Sequence, residues 1–144
     1  MAEGGQHILR WHVWAVATCI PLLVRFLPLK ALLRLLTPPG RLRPYRGVPA
    51  GRIAEIVRRR LRNPVHMRRR ACLREGLTLF HFLCLAGAEA VLHVGVFAGR
   101  PGAQRTHAHC WVTCQGRAVS APPDEPFAEV LSYPSPRRRN LPKR

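Results

Sequence analysis

Apolar residues dominate positions 8–36, with Pro21 and Pro28 among them. Each proline removes a backbone donor and crowds the turn before it, so the stretch predicts two or three short helices. Turn formers follow, as Thr37-Pro38-Pro39-Gly40 and then Pro44, Gly47, Pro49 and Gly51, and mark a linker. Over 53–61 the period becomes helical, with Ile53, Ile56, Val57 and Leu61 on one face and Arg58, Arg59, Arg60 and Arg62 largely outside it. Asn63-Pro64 stops that helix. A second one, starting near Met67 or Cys72 and running to Ala86, carries Leu73, Leu77, Phe80 and Cys84 at three- and four-residue spacing, with Gly87 placed for a left-handed C-cap.

The period then drops to two. Leu92, Val94 and Val96 alternate with His93, Gly95 and Phe97, which predicts a strand. After a loop over 99–106, residues 107–114 form the next strand, and Gln115-Gly116 supplies a hairpin turn into 117–120. From Ala121 onward the chain is rich in proline and finally basic, which predicts a loose end. Helices followed by antiparallel strands make the fold class α+β, a central helix packed on a small antiparallel sheet. The expected organisation is a helical segment at 1–37, a linker at 38–52, a single catalytic unit at 53–133 and a basic tail at 134–144. A chain of 144 residues suits one core rather than two.

Charge adds a sign to this picture. There are 24 Lys and Arg against 7 Asp and Glu, a net of +17, and all the cations but Lys30 and Lys143 are arginine. Such a field attracts nucleic acid, acidic lipid or acidic peptide alike, and a GC-rich genome produces the same arginine bias. The arginines fall in runs at 58–60, 68–70 and 137–139 without interleaved aromatics, so no nucleic-acid partner is expected. Five cysteines, an odd number, do not form a disulfide framework and point to a reducing, cytoplasmic compartment. The apolar stretch 11–24 carries His12 and Pro21 and reads as too short to span a bilayer. It suits helices that dock on a partner, on the domain or peripherally at a membrane interface.

The candidate chemistry is that of a thiol. Nucleophilic cysteines sit at helix N-termini beside a histidine, because the thiol must lose its proton near neutral pH. Cys72 opens the second helix, immediately after Arg68, Arg69 and Arg70. On the following strand His107, His109 and Trp111 share one face, and Ala108, Cys110 and Val112 the other. Cys110 and Cys114 therefore face away from the histidines, and no zinc or other metal site is expected.

The strings around these residues narrow the reading. Cys72-Leu73-Arg74-Glu75-Gly76-Leu77-Thr78-Leu79, Gly87, Leu92-His93-Val94-Gly95-Val96, Ala108-His109-Cys110-Trp111-Val112 and Gly116 together resemble the lasso-peptide leader peptidases, cysteine proteases with a papain- or transglutaminase-like fold. The resemblance covers about 53–124, and Leu27-Pro28-Leu29 is similar to that family's N-terminal helical segment. It implies that Cys72 is the nucleophile and His109 the general base, and it prefers His109 to His107. The family places an acidic or amide residue 11 or 12 positions after the histidine; here those positions hold Ser120 and Ala121, and Asp124 is the nearest carboxylate. Asp124, Ser120 or a backbone carbonyl is then the orienting group. The resemblance further implies a precursor-peptide substrate, a separate leader-recognition protein, an ATP-dependent lasso cyclase and no cofactor. The rival reading is a transglutaminase-like module that binds peptides or proteins without catalysis.

Overall fold

The computed structural model describes residues 3–62, 71–97, 108–121 and 127–139. Four helices lead, α1 (Glu3–Phe26), α2 (Leu29–Leu36), α3 (Ala50–Leu61) and α4 (Ala71–Leu85), and strands β1 (Ala90–Phe97), β2 (Ala108–Cys114), β3 (Arg117–Ala118) and β4 (Phe127–Pro134) follow, closed by a short helix α5 (Pro136–Arg139). All strand pairs are antiparallel, in the order β3-β2-β1-β4. The α+β class expected from the pattern is the one observed.

Helix α4 is the centre of the molecule. Leu77, Leu79, Phe80, Phe82 and Leu83 are fully buried and point in several directions around its axis, as a helix enclosed on all sides requires. It meets β2 and β1 on one flank and α1 and α3 on the other. Gly87 ends it at a φ of 71°, where the Gly87 amide donates to Cys84 and the Ala88 amide to Leu83, the paired bonds of a Schellman stop. Gln115 and Gly116 both take positive φ in the two-residue turn between β2 and β3, the geometry that matches the twist of antiparallel strands.

Three local expectations change. Pro21 does not divide the first apolar stretch: α1 runs through it as one helix of 24 residues. The bond that proline forfeits is outweighed by burial on both sides of it, with Ala17 and Ile20 at 1% exposure before it and Val24 and Leu27 packed on the core after it. Pro28 does interrupt the chain, capping α2 and accepting from the amides of Ala31 and Leu32. The apolar helix is consequently longer than the 14-residue stretch in the sequence; by length and composition Gly5–Phe26 would suffice to cross a membrane.

The second difference is β4, which pairs with β1 where the sequence pattern predicts no strand. Leu131 faces Val94 while Glu129 faces Gly95, so Val130 is the extra residue of a bulge and the alternation is broken at mid-strand. The third is α5, inside the expected loose tail. The Ser135 hydroxyl accepts from the amides of Ala90 and Arg138 and donates to the carbonyl of Ala88, and Pro136 supplies the first helical position. Residues 140–144, like His107 and the arginine run at 68–70, lie outside the described residues.

The linker is anchored. Tyr45 and Val48 are buried, and the ring of Phe82 meets His12 edge-on at 4.9 Å and Tyr45 at 5.8 Å. His12 Nδ1 pairs with the Tyr45 hydroxyl at 2.7 Å, and His81 Nδ1–H donates to the carbonyl of Leu36 at 2.8 Å. Burial lowers both histidines below their ordinary value of 6.5. Below 6.5 the unfolded chain therefore takes up protons before the folded one, and stability falls with pH until the folded values are reached. Urea unfolding at pH 7.5 and 5.5 checks this: the midpoint is expected to drop on acidification, by less in a His12→Gln/His81→Gln protein.

Candidate active site

Cys72 is the second residue of α4, in the turn whose amide hydrogens have no partner within the helix. Its sulfur is half-exposed and lies 3.8 Å from the carbonyl oxygen of Ala108, the first residue of β2. The next residue is His109. Cys72 and His109 together line two clefts, one on either side. The first, of about 580 Å³, is walled by Val24 of α1, by Leu27 just after it, and by Leu29 and Leu32 of α2. The second, of about 510 Å³, has the charged Arg58 and Glu75 on its walls together with Ser120 and Ala121.

Close approach of α4 to β2 makes this placement possible, and Gly76 permits it. A Cβ at 76 would overlap the sulfur of Cys110 and meet Cδ1 of Leu92 at 3.4 Å. One turn earlier on the helix, Cys72 is thus set over the beginning of β2. A Gly76→Val protein is expected to lose about 1–3 kcal/mol of stability through overpacking. Its thiol probe reactivity at Cys72 should change as well, which mass mapping of the labelled chain would read.

The imidazole of His109 is held by the backbone. Nε2 lies 3.1 Å from the carbonyl oxygen of Ala121. A carbonyl can only accept, so Nε2 carries a proton, and in the neutral ring the lone pair is then on Nδ1. Ser120 is otherwise engaged: its buried hydroxyl accepts from the amide of Val112 at 2.8 Å. Asp124 lies outside the described residues. Among the described residues, the candidate orienting group found on His109 is a backbone carbonyl.

Trp111 walls the histidine. Its ring stacks on His109 at 6.2 Å and 19°, stacks on His93 on the other side at 5.2 Å and 9°, and meets Phe127 edge-on at 4.6 Å. His93 is satisfied there, with Nδ1 at 2.8 Å from Glu129 and Nε2 at 2.9 Å from the Thr113 hydroxyl. It stiffens the stack from behind. Gly95 makes room, since a Cβ would meet Phe127 at 2.7 Å and Trp111 at 3.2 Å.

The other thiols differ from Cys72 in surroundings. Burial pushes Cys110 up to about 12, helped by Cys72 and Glu75, and Cys84 also up to about 12; Cys114 is raised by burial and by Glu89. These three stay protonated at neutral pH, and Cys19 lies on the exposed side of α1.

Arg58 and Glu75 were not singled out by the sequence pattern. Arg58 pairs with Glu75 at 3.5 Å and also donates to the carbonyl of Val119, tying α3 to α4 and to the segment that carries Ala121. Glu75 was detectable, because a residue three positions after Cys72 shares its helix face. Arg58 was not, because its run resembles a solvated face.

The sequence model of the transglutaminase-like superfamily matches residues 14–132, from within α1 to within β4. The chain belongs to that superfamily. Cysteine proteases and transglutaminases are among the activities of transglutaminase-like proteins. No curated protein and no solved structure shows significant similarity to this chain.

Proposed function

We propose that this transglutaminase-like protein is a cysteine peptidase that removes the leader from a lasso-peptide precursor, acting in the cytoplasm with a leader-recognition protein and an ATP-dependent cyclase. The observation that carries the reading is the shared position of Cys72 and His109 on two clefts, with Nε2 of the imidazole facing the Ala121 carbonyl. The strings around both residues support the finer assignment.

In the proposed reaction His109 Nδ1 takes the proton of the Cys72 thiol, and the thiolate attacks the scissile carbonyl. The oxyanion that forms is met by the unpaired amides of the first turn of α4. His109 returns the proton to the departing amine, leaving a thioester on Cys72. Water, deprotonated by His109, then attacks the thioester, which releases the leader acid and restores the thiol. The apolar cleft between α1, α2 and β2 would take a hydrophobic side chain beside the scissile bond, and the Arg58–Glu75 cleft the polar chain on the other side.

The test is incubation of a lasso precursor, its recognition protein and this chain, with mass spectrometry of the products. One cut between leader and core, blocked by iodoacetamide, is expected; an intact precursor under the same conditions would sink the proposal. One observation favours the non-catalytic rival, a peptide-binding module: among the described residues the partner of His109 is a neutral carbonyl rather than a side-chain acid or amide. Under that reading Cys72 reacts with a thiol probe at the same rate with and without His109.

A further inference from the structure

Helix α1 has two apolar faces and only one of them is used inside the protein. Leu9, Val13, Ala17 and Ile20, at 1% exposure or less, pack into the core. On the other side Ile8, Trp11, Leu22 and Phe26 are 60–75% exposed, and Trp14 beside them is 42% exposed. With the exposed Ala15, Thr18 and Cys19 between them, these residues follow the helical repeat as one stripe. At 1.5 Å per residue the stripe from Ile8 to Phe26 is about 27 Å long.

The surroundings of the stripe are cationic. Residues 4–26 contain no carboxylate, and Arg10 and Arg25 flank the apolar positions. Between α1 and α3 runs a groove of about 610 Å³ whose walls include Trp11 and Trp14 with Arg10, Arg52, Arg59 and Arg60. Among the described residues its one acid, Glu55, pairs with Arg52 at 2.6 Å. The Arg60 guanidinium sits over the Trp14 ring at 5.8 Å, and its Nε is buried without a hydrogen-bond partner.

We infer that α1 docks flat on a membrane leaflet containing anionic phospholipid, the stripe entering the interfacial zone and the groove arginines meeting lipid phosphates. Gly5–Phe26 has a mean hydropathy of 1.3, enough for a span, but its inner face is packed against α3 and α4. An upright crossing would tear that face from the core, so lying in the interface is the orientation left. Indole rings at one end of the stripe and arginine beside it are the side chains that partition there. A second copy of the chain is a poor occupant, since a symmetric contact would bring the same arginines together. The docking rests on this surface alone and is independent of the thiol chemistry.

The full chain sedimented with vesicles of phosphatidylcholine and phosphatidylglycerol, or of phosphatidylcholine alone, tests this. Binding is expected to the acidic vesicles, weaker by about tenfold or more on the neutral ones and reduced by salt. Brominated lipid should quench the exposed tryptophans. Phe26→Ser is expected to lower affinity about tenfold. Ala15→Glu, at an exposed position, should abolish binding while urea unfolding stays unchanged, which separates loss of docking from loss of fold. Absence of binding to acidic vesicles overturns the inference, as does equal binding by the Ala15→Glu protein. So does a lipid-free dimer, or a complex with an acidic protein, in which Trp11 is shielded from iodide and no vesicle binding remains.

Discussion

The Cys72→Ala protein is expected to release leader roughly 10⁴- to 10⁶-fold more slowly than the parent, if the proposed peptidase reading holds, while its unfolding curve is unchanged. The argument is chemical. Neither Cys110 nor Cys84 can substitute, because burial holds both as thiols with values near 12. Cys19 sits on the outer face of α1, away from the two clefts. His109→Ala should cost a comparable factor, and the double variant little more than either alone, since a nucleophile and its base act as one unit. Quench-flow or timed mass spectrometry on a precursor would measure all three. Losses that simply multiplied would contradict a shared proton transfer. Comparable leader release by the alanine protein would dispose of Cys72 as the nucleophile, leaving the superfamily membership untouched.

The second large effect concerns stability. Phe82→Ala is expected to cost about 3–5 kcal/mol, the range for deleting a fully buried aromatic ring. Phe82 is where α4 meets His12 of α1 and Tyr45 of the linker, so the cavity opens at the junction of three segments distant in sequence. Urea unfolding followed both by tryptophan emission and by far-ultraviolet dichroism should show one destabilised transition. Two separated transitions would mean that the segments meeting at Phe82 do not unfold as one unit. Phe80→Ala, whose ring meets Tyr133 of β4 at 5.8 Å, provides a comparison on the sheet side.

Both variants bear on what could be seen in the sequence. The central helix was legible because its apolar period, its start near Cys72 and its stop at Gly87 agree with one another. The β2–β3 hairpin was legible because Gln-Gly is a residue pair that a tight turn demands. Helix α1 was hidden by a rule of thumb about proline: the lost bond at Pro21 is a local cost, and the burial that outweighs it comes from α3 and α4. Strand β4 was hidden by its own bulge at Val130, which erases the alternation on which strand recognition depends. Ser135-Pro136 did hold a signal for α5, a capping serine followed by proline at the first helical position, submerged by the arginines after it. At the site, strand parity was readable, but its consequence was not: Trp111 turns away from α4 to meet His93 and Phe127, and those contacts join strands whose contacting residues are 18 and 16 positions away in sequence.

The carbonyl of Ala121 that holds His109 belongs to the peptide bond joining Ala121 to Pro122. A residue that precedes proline is confined to extended backbone angles, so the direction of this acceptor is largely chosen before the chain folds. Replacing the side chain at 121 leaves the acceptor in place, and a scan through alanine would pass over it in silence. Rotation of the ring is restrained by the covalent path of the main chain, and position 122, which contributes no atom to the hydrogen bond, governs how firmly.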